Sequence, residues 1–129
     1  MSFLLGAWNA EKPLLEKARE LLPTVEWEAP KNRGYQTADV TDQMPGYKRA
    51  FFLKLPPHTD IHRHVDCGDC KTDHVVIETN NQCTNYWTEG GKEHSTWMEK
   101  DCRYTVDRTV EHWAINNGDT DRVHLMLEY

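Results

Sequence analysis

The stretch Leu55-Pro56-Pro57-His58-Thr59-Asp60-Ile61-His62-Arg63-His64-Val65-Asp66 decides how the rest of the chain is read. Pro56-Pro57 ends one extended run, and the next residues alternate. Residues 58, 60, 62, 64 and 66 are all His or Asp. On a regular strand all five face the same side. A solvated edge strand would give that pattern, and so would a face built to hold a metal. The stretch contains H-x-D twice, at His58/Asp60 and at His64/Asp66. On a strand, H-x-D presents one imidazole nitrogen and one carboxylate oxygen on one face. A second histidine from a distant strand would complete the 2-His-1-carboxylate triad of non-haem Fe(II) oxygenases.

Working outward, short strands separated by turn residues are predicted from Tyr47 to the end. They fall at 47–55, 60–65, 73–79, 82–88, 93–98, 102–106, 110–116 and 121–128. Glu89-Gly90-Gly91-Lys92 suits a hairpin, and Asn117-Gly118-Asp119 suits a second turn. Upstream, residues 29–46 read as loop with room for one short strand. Leu14, Leu15, Ala18, Leu21 and Leu22 recur at helical spacing, with Asn9 as N-cap and Pro23 as stop. This predicts one helix over about 10–22. The expected fold is mainly β, a sandwich or barrel of the jelly-roll kind with one N-terminal helix. A chain of 129 residues is one domain, 1–129, and can bury roughly two-thirds of its unfolded surface.

The distant histidine has a candidate in Glu111-His112-Trp113-Ala114-Ile115-Asn116-Asn117-Gly118-Asp119-Thr120-Asp121-Arg122. A strand, a turn and a second strand bring His112 and Arg122 into one sheet interior. A buried arginine fork suits a carboxylate. A surface arginine paired with Asp119 or Asp121 is the competing reading. His124 shares the face of Arg122, either lining a pocket or hydrogen-bonded in the interior. His94 reads as exposed, and Trp87, Trp97 and Trp113 as core. Arg49, Arg103 and Arg108 read as surface groups that could also recognise an acidic or polar substrate.

The net charge of −6 argues against nucleic acid as a main partner, because phosphate binding needs a clustered positive field. No stretch has the length and apolarity of a membrane span. The first residues carry no basic run and no apolar core of a secretory signal, so a cytoplasmic setting with reduced thiols is expected. Cys67-Gly68-Asp69-Cys70 is a single C-x-x-C. As a zinc module it would need Cys83, Cys102 or a histidine to complete four ligands.

Together, residues 55–66, Asp73-His74-Val75-Val76-Ile77-Glu78-Thr79-Asn80 and the segment from Glu111 to Leu125 resemble the aspartyl/asparaginyl β-hydroxylase-like family. Its members are Fe(II)/2-oxoglutarate-dependent dioxygenases of the double-stranded β-helix (cupin-like jelly-roll) fold. Pro57 and Ile61 match the first block of the family pattern. His112, Asn116, Arg122 and Leu125 match the last, and the resemblance covers about residues 47–129. The register from Pro57 puts the family's metal histidine on His64, with Asp66 as the carboxylate. His58 stands where the family has glycine. The resemblance implies Fe(II) on His64, Asp66 and His112, with 2-oxoglutarate as cosubstrate. Arg122 would hold its distal carboxylate and His74 would lie near the other. It also implies O₂ consumption and hydroxylation of a peptide side chain or a small amino-acid-like molecule. The chain is small for that superfamily, so the pocket is expected to be open or to be completed by a second copy of the chain. A cupin-type metal protein that does not use 2-oxoglutarate is the other reading of the same residues.

Overall fold

The computed structural model describes residues 2–29, 34–66 and 71–129. Among the described residues, ten strands and one α-helix follow one another. The strands are β1 (Leu4–Asn9), β2 (Gln36–Asp39), β3 (Arg49–Leu55), β4 (Thr59–His64), β5 (Lys71–Glu78), β6 (Cys83–Glu89), β7 (Lys92–Thr96), β8 (Cys102–Asp107), β9 (His112–Asn116) and β10 (Arg122–Glu128). Helix α1 (Lys12–Leu21) lies between β1 and β2. One sheet has six strands in the order β1-β8-β5-β10-β3-β2, and the other has four in the order β4-β9-β6-β7. Every pairing is antiparallel. The fold is the predicted cupin-like jelly roll, and the eight strands expected from Tyr47 onward are all present.

The six-stranded sheet buries both faces. Val123, Leu125 and Leu127 of β10 join Phe52, Val75 and Ile77 against α1, which contributes Ala18, Leu14 and Leu15. Full burial of each large side chain contributes roughly 1.5–3 kcal/mol. The opposite face carries Arg122, His124, Met126 and Glu128 on β10 and turns toward the four-stranded sheet. Along β10, period-2 alternation thus sends Val123, Leu125 and Leu127 to the helix and mostly polar residues to the space between the sheets.

Two expectations at the N-terminus change. β1 was not predicted, yet it pairs with β8 from Leu4 opposite Val106 to Asn9 opposite Cys102. Asn9 is therefore committed to a ladder and does not cap the helix. Glu11 stands at the N-cap, without a side-chain cap bond, and Pro13 occupies the first turn, where its missing N–H costs nothing. The hairpin between β6 and β7 turns on Gly90 and Gly91, with φ of 60° and 76°, the pair of left-handed residues that a type I′ turn requires.

A candidate metal centre

His64 and Asp66 reach the inter-sheet space because β4 is irregular. Thr59, Asp60 and Ile61 pair in step with Asn116, Ile115 and Ala114. His64 then pairs with His112, three residues on one strand against two on the other. This β-bulge inserts one residue and reverses the alternation. Ile61 and His64 both line the cavity, while the Asp60 and His62 side chains are 54% and 73% exposed. The five residues of the alternating run therefore do not share a face, a correction to the regular-strand reading. His58 also leaves the set. It adopts φ 56°, where glycine is at ease, and pairs with Asp119 at the surface.

Beyond the bulge, Asp66 donates its backbone N–H to the Arg108 carbonyl at 3.0 Å. This ties the loop after β4 to the segment before β9. His112 opens β9, and its ring stacks on Phe3 at 5.1 Å between centroids. His64, Asp66 and His112 each offer one ligand atom, all within 4.8 Å of one another. Nε2 of His112 lies 3.4 Å from Asp66 Oδ2, and Nε2 of His64 lies 3.6 Å from the same oxygen. Nδ1 of His64 contacts the His62 carbonyl at 2.6 Å, and Nδ1 of His112 contacts the Val110 carbonyl at 2.7 Å. Bonding to a carbonyl places the proton on Nδ1 and leaves a lone pair on Nε2. Histidines that bind metals are oriented in this way. Burial would raise the Asp66 pKa, but the flanking His112 and His64 hold its carboxyl well below the ordinary range. Two imidazole nitrogens and a carboxylate oxygen thus converge on one point.

These residues line a cavity of about 320 Å³ between the sheets. Phe51, Leu53 and Met126 form its apolar wall. Arg122, 2% exposed, also lines it, with Nη1 donating to Asn85 Oδ1 at 3.1 Å. Its Nε has no partner, and among the described residues no carboxylate pairs with it. Burial lowers its pKa to about 10, which still leaves it charged at neutral pH. The alternative of an arginine paired at the surface with Asp119 or Asp121 does not hold. His74 lines the cavity from β5, and Nδ1 of His74 meets Nδ1 of His124 at 3.1 Å. At the other end of β10, Glu128 is bracketed by Arg49 and Arg108, both at 3.3 Å.

Other candidates fall elsewhere. Asp73 points away from the cavity and is buried against Arg103, which also binds Glu11 and Tyr129. Arg103 is thus a buried structural group, and Thr72 takes the cavity-facing place beside His74. His94 is not free in solvent. It stacks on Trp87 at 5.6 Å and contacts the Glu89 carbonyl. Trp87 is core, whereas Trp97 is 48% exposed. Cys67 and Cys70 lie outside the described residues. Cys83 and Cys102 are unpaired thiols that bond Asn80 and Asn9, away from the His-Asp-His cluster. Among the described residues no helix is long and apolar enough to cross a membrane.

A family model described as aspartyl/asparaginyl beta-hydroxylase matches residues 11–129. No curated protein matches the chain. Among solved structures, an oxidoreductase of the 2OG-Fe(II) oxygenase family from Burkholderia pseudomallei superposes with a TM-score of 0.75 at 7% identity, covering 91% of this chain and 77% of its own. A cupin domain from Bordetella pertussis Tohama I gives 0.57 at 18% identity, over 78% of this chain and 97% of its own. The Drosophila melanogaster CENP-C cupin domain gives 0.62 at 12%, over 81% and 75%. At these identities the likeness is one of fold, and that fold carries both oxygenases and other proteins.

Proposed function

The chain belongs to the aspartyl/asparaginyl β-hydroxylase family, and from that premise we propose that it is an Fe(II)- and 2-oxoglutarate-dependent oxygenase that hydroxylates a peptide side chain or a small amino-acid-like substrate. One observation carries the reading. A buried guanidinium that pairs with no carboxylate among the described residues lines the same cavity as a His-Asp-His cluster. An uncompensated buried charge costs several kcal/mol, so its retention fits an anion supplied from outside. The donor set also fits the metal: two neutral nitrogens and one carboxylate are the ligands that leave three positions open on ferrous iron.

His64, Asp66 and His112 would hold the ion. Arg122 would take the distal carboxylate of 2-oxoglutarate, with Asn85 fixing the plane of its guanidinium. His74 would lie beside the other end of the same molecule. Iron, 2-oxoglutarate and O₂ together supply the oxidising power to insert an oxygen atom into a C–H bond, with succinate and CO₂ as co-products. The protein contributes orientation and dryness. Phe51, Leu53 and Met126 keep water from the cavity wall, and the carbonyls of His62 and Val110 hold the two imidazoles in place.

Anaerobic addition of Fe(II) and then 2-oxoglutarate is expected to produce the weak visible charge-transfer band of the chelate. Arg122→Ala is expected to lose that band at the same cosubstrate concentration while still binding metal. A wild-type protein that binds Fe(II) but gives no band and no succinate would be a cupin-type metal protein that does not use 2-oxoglutarate. Tight stoichiometric zinc on thiolates would sink the oxygenase reading altogether.

A further inference from the structure

His74 and His124 meet inside the fold in a way that fixes where their protons lie. They sit diagonally across the β5–β10 ladder, where His124 is opposite Val76 and His74 is opposite Met126. Both are buried, at 8% and 0% exposure, and the rings meet edge to face at 5.3 Å. Burial, with the charge of Arg122 nearby, lowers the His74 pKa to about 3 and that of His124 well below its ordinary value. Both rings are therefore neutral at physiological pH, and each carries one N–H.

The contact joins Nδ1 to Nδ1. A hydrogen bond there needs a proton on one nitrogen and a lone pair on the other. If His74 donates, His124 must carry its proton on Nε2. That nitrogen is buried and has no partner, as is Nε of Arg122. This arrangement would leave two orphaned N–H donors in the interior. If His124 donates, its Nε2 is a bare lone pair, and only one orphaned donor remains. Orphaned buried N–H groups are rare because each loses its hydrogen bond to water and gains none, so the second arrangement wins. His74 then accepts at Nδ1 and carries its own proton on Nε2, the ring nitrogen left to the cavity.

We propose that His124 is a positioning residue that locks His74 in its Nε2–H tautomer, so that His74 offers a neutral hydrogen-bond donor to an acceptor oxygen of the anion bound in the cavity. The identity of that anion as 2-oxoglutarate rests on the function proposed above, but the tautomer does not. The arrangement divides the work of anion binding, with Arg122 supplying the charge and His74 a directed donor that brings no second charge into the interior.

Long-range ¹H–¹⁵N correlation of the imidazole rings in the wild-type protein, with no metal or ligand added, reads the tautomers directly. The expected result is protons on His74 Nε2 and His124 Nδ1, and bare His74 Nδ1 and His124 Nε2. A proton on His74 Nδ1, or an imidazolium at either ring, overturns the proposal. A second measurement titrates 2-oxoglutarate into Mn(II)-loaded wild type, His124→Asn and His124→Phe. The Asn amide places a donor where Nδ1 was and is expected to keep wild-type affinity. Phe removes the donor and is expected to weaken binding roughly tenfold, the worth of one hydrogen bond to a charged group. Equal affinity in a folded His124→Phe overturns the positioning role. If 2-oxoglutarate binds none of the three, the cosubstrate assignment fails, and the tautomer pattern still decides the state of His74.

Discussion

Two pairs of histidines, one lining the cavity and one reaching behind its wall, differ in what their Nδ1 atoms face. In His64 and His112, each Nδ1 is taken by a backbone carbonyl, and the two Nε2 atoms point with Asp66 at one place. In His74 and His124, the Nδ1 atoms face each other. The first pair is partly open to solvent, and the second is buried. The same side chain is thus a metal-ready base in one setting and a neutral hydrogen-bonding group in the other. The backbone makes the difference: a carbonyl two residues back serves each ring of the first pair, while the second pair is set by cross-strand register alone.

The largest test of this contrast is Asp66→Ala. Removing the one charge that gathers the first pair is expected to lower Mn(II) or Co(II) affinity by more than about a hundredfold, measured by calorimetric titration. His74→Ala touches no ligand atom and should change metal affinity by less than about tenfold. A loss equal to that of Asp66→Ala would erase the distinction.

Next is the pH dependence of stability. His74 and His124 are neutral when folded and titrate near 6.5 when unfolded. The unfolded chain therefore binds more protons, so their contribution is present above pH 6.5 and is lost as pH falls toward the folded pKa, about 3 for His74. Urea unfolding of the metal-free protein should show ΔG falling by up to about 3 kcal/mol per pH unit between pH 6 and 4, in roughly equal shares from the two rings. His124→Asn should remove about half of that slope. A flat profile would mean that the second pair is not held neutral.

Arg122→Met has a smaller effect of opposite sign. Replacing an unpaired buried cation with an apolar chain should raise the stability of the ligand-free protein by about 1–3 kcal/mol while weakening 2-oxoglutarate binding. Lowered stability would indicate a counter-ion for Arg122. The smallest effect is expected at His62→Gln. His62 belongs to neither pair, and stability should stay within about 0.5 kcal/mol with metal affinity unchanged. A clear loss of metal binding would mean that β4 runs without its bulge.

Most of the architecture was legible because turn residues and period-2 apolar runs are local signals. The strands from Arg49 to Glu128 and the helix are set by them. β1 was not legible, since Leu4-Leu5-Gly6-Ala7-Trp8 does not alternate and its partner β8 is distant in sequence. The cluster His64, Asp66 and His112 was legible as a set, but only the spacing from Pro57 and Ile61 chose between the two H-x-D copies. Alternation alone placed His62 on the wrong face, because a bulge is a property of the pair of strands and leaves no mark on one of them. The partner of His124 was illegible for the same reason: contact with His74 depends on the β5–β10 register, which shifts between Val123 and His124.

Phe3 packs on the ring of His112, and its carbonyl accepts a hydrogen bond from the Asp107 N–H at 2.7 Å. This couples the segment around β1 to the order in which the protein assembles. Contacts between residues so far apart in sequence form slowly, because the entropy of loop closure is lost before they stabilise anything. During synthesis Phe3 must wait for β8 and β9, which leave the ribosome about a hundred residues later, before it can dock. His112 gains its aromatic backing only then, so the His64-Asp66-His112 cluster is among the last parts of the molecule to be completed.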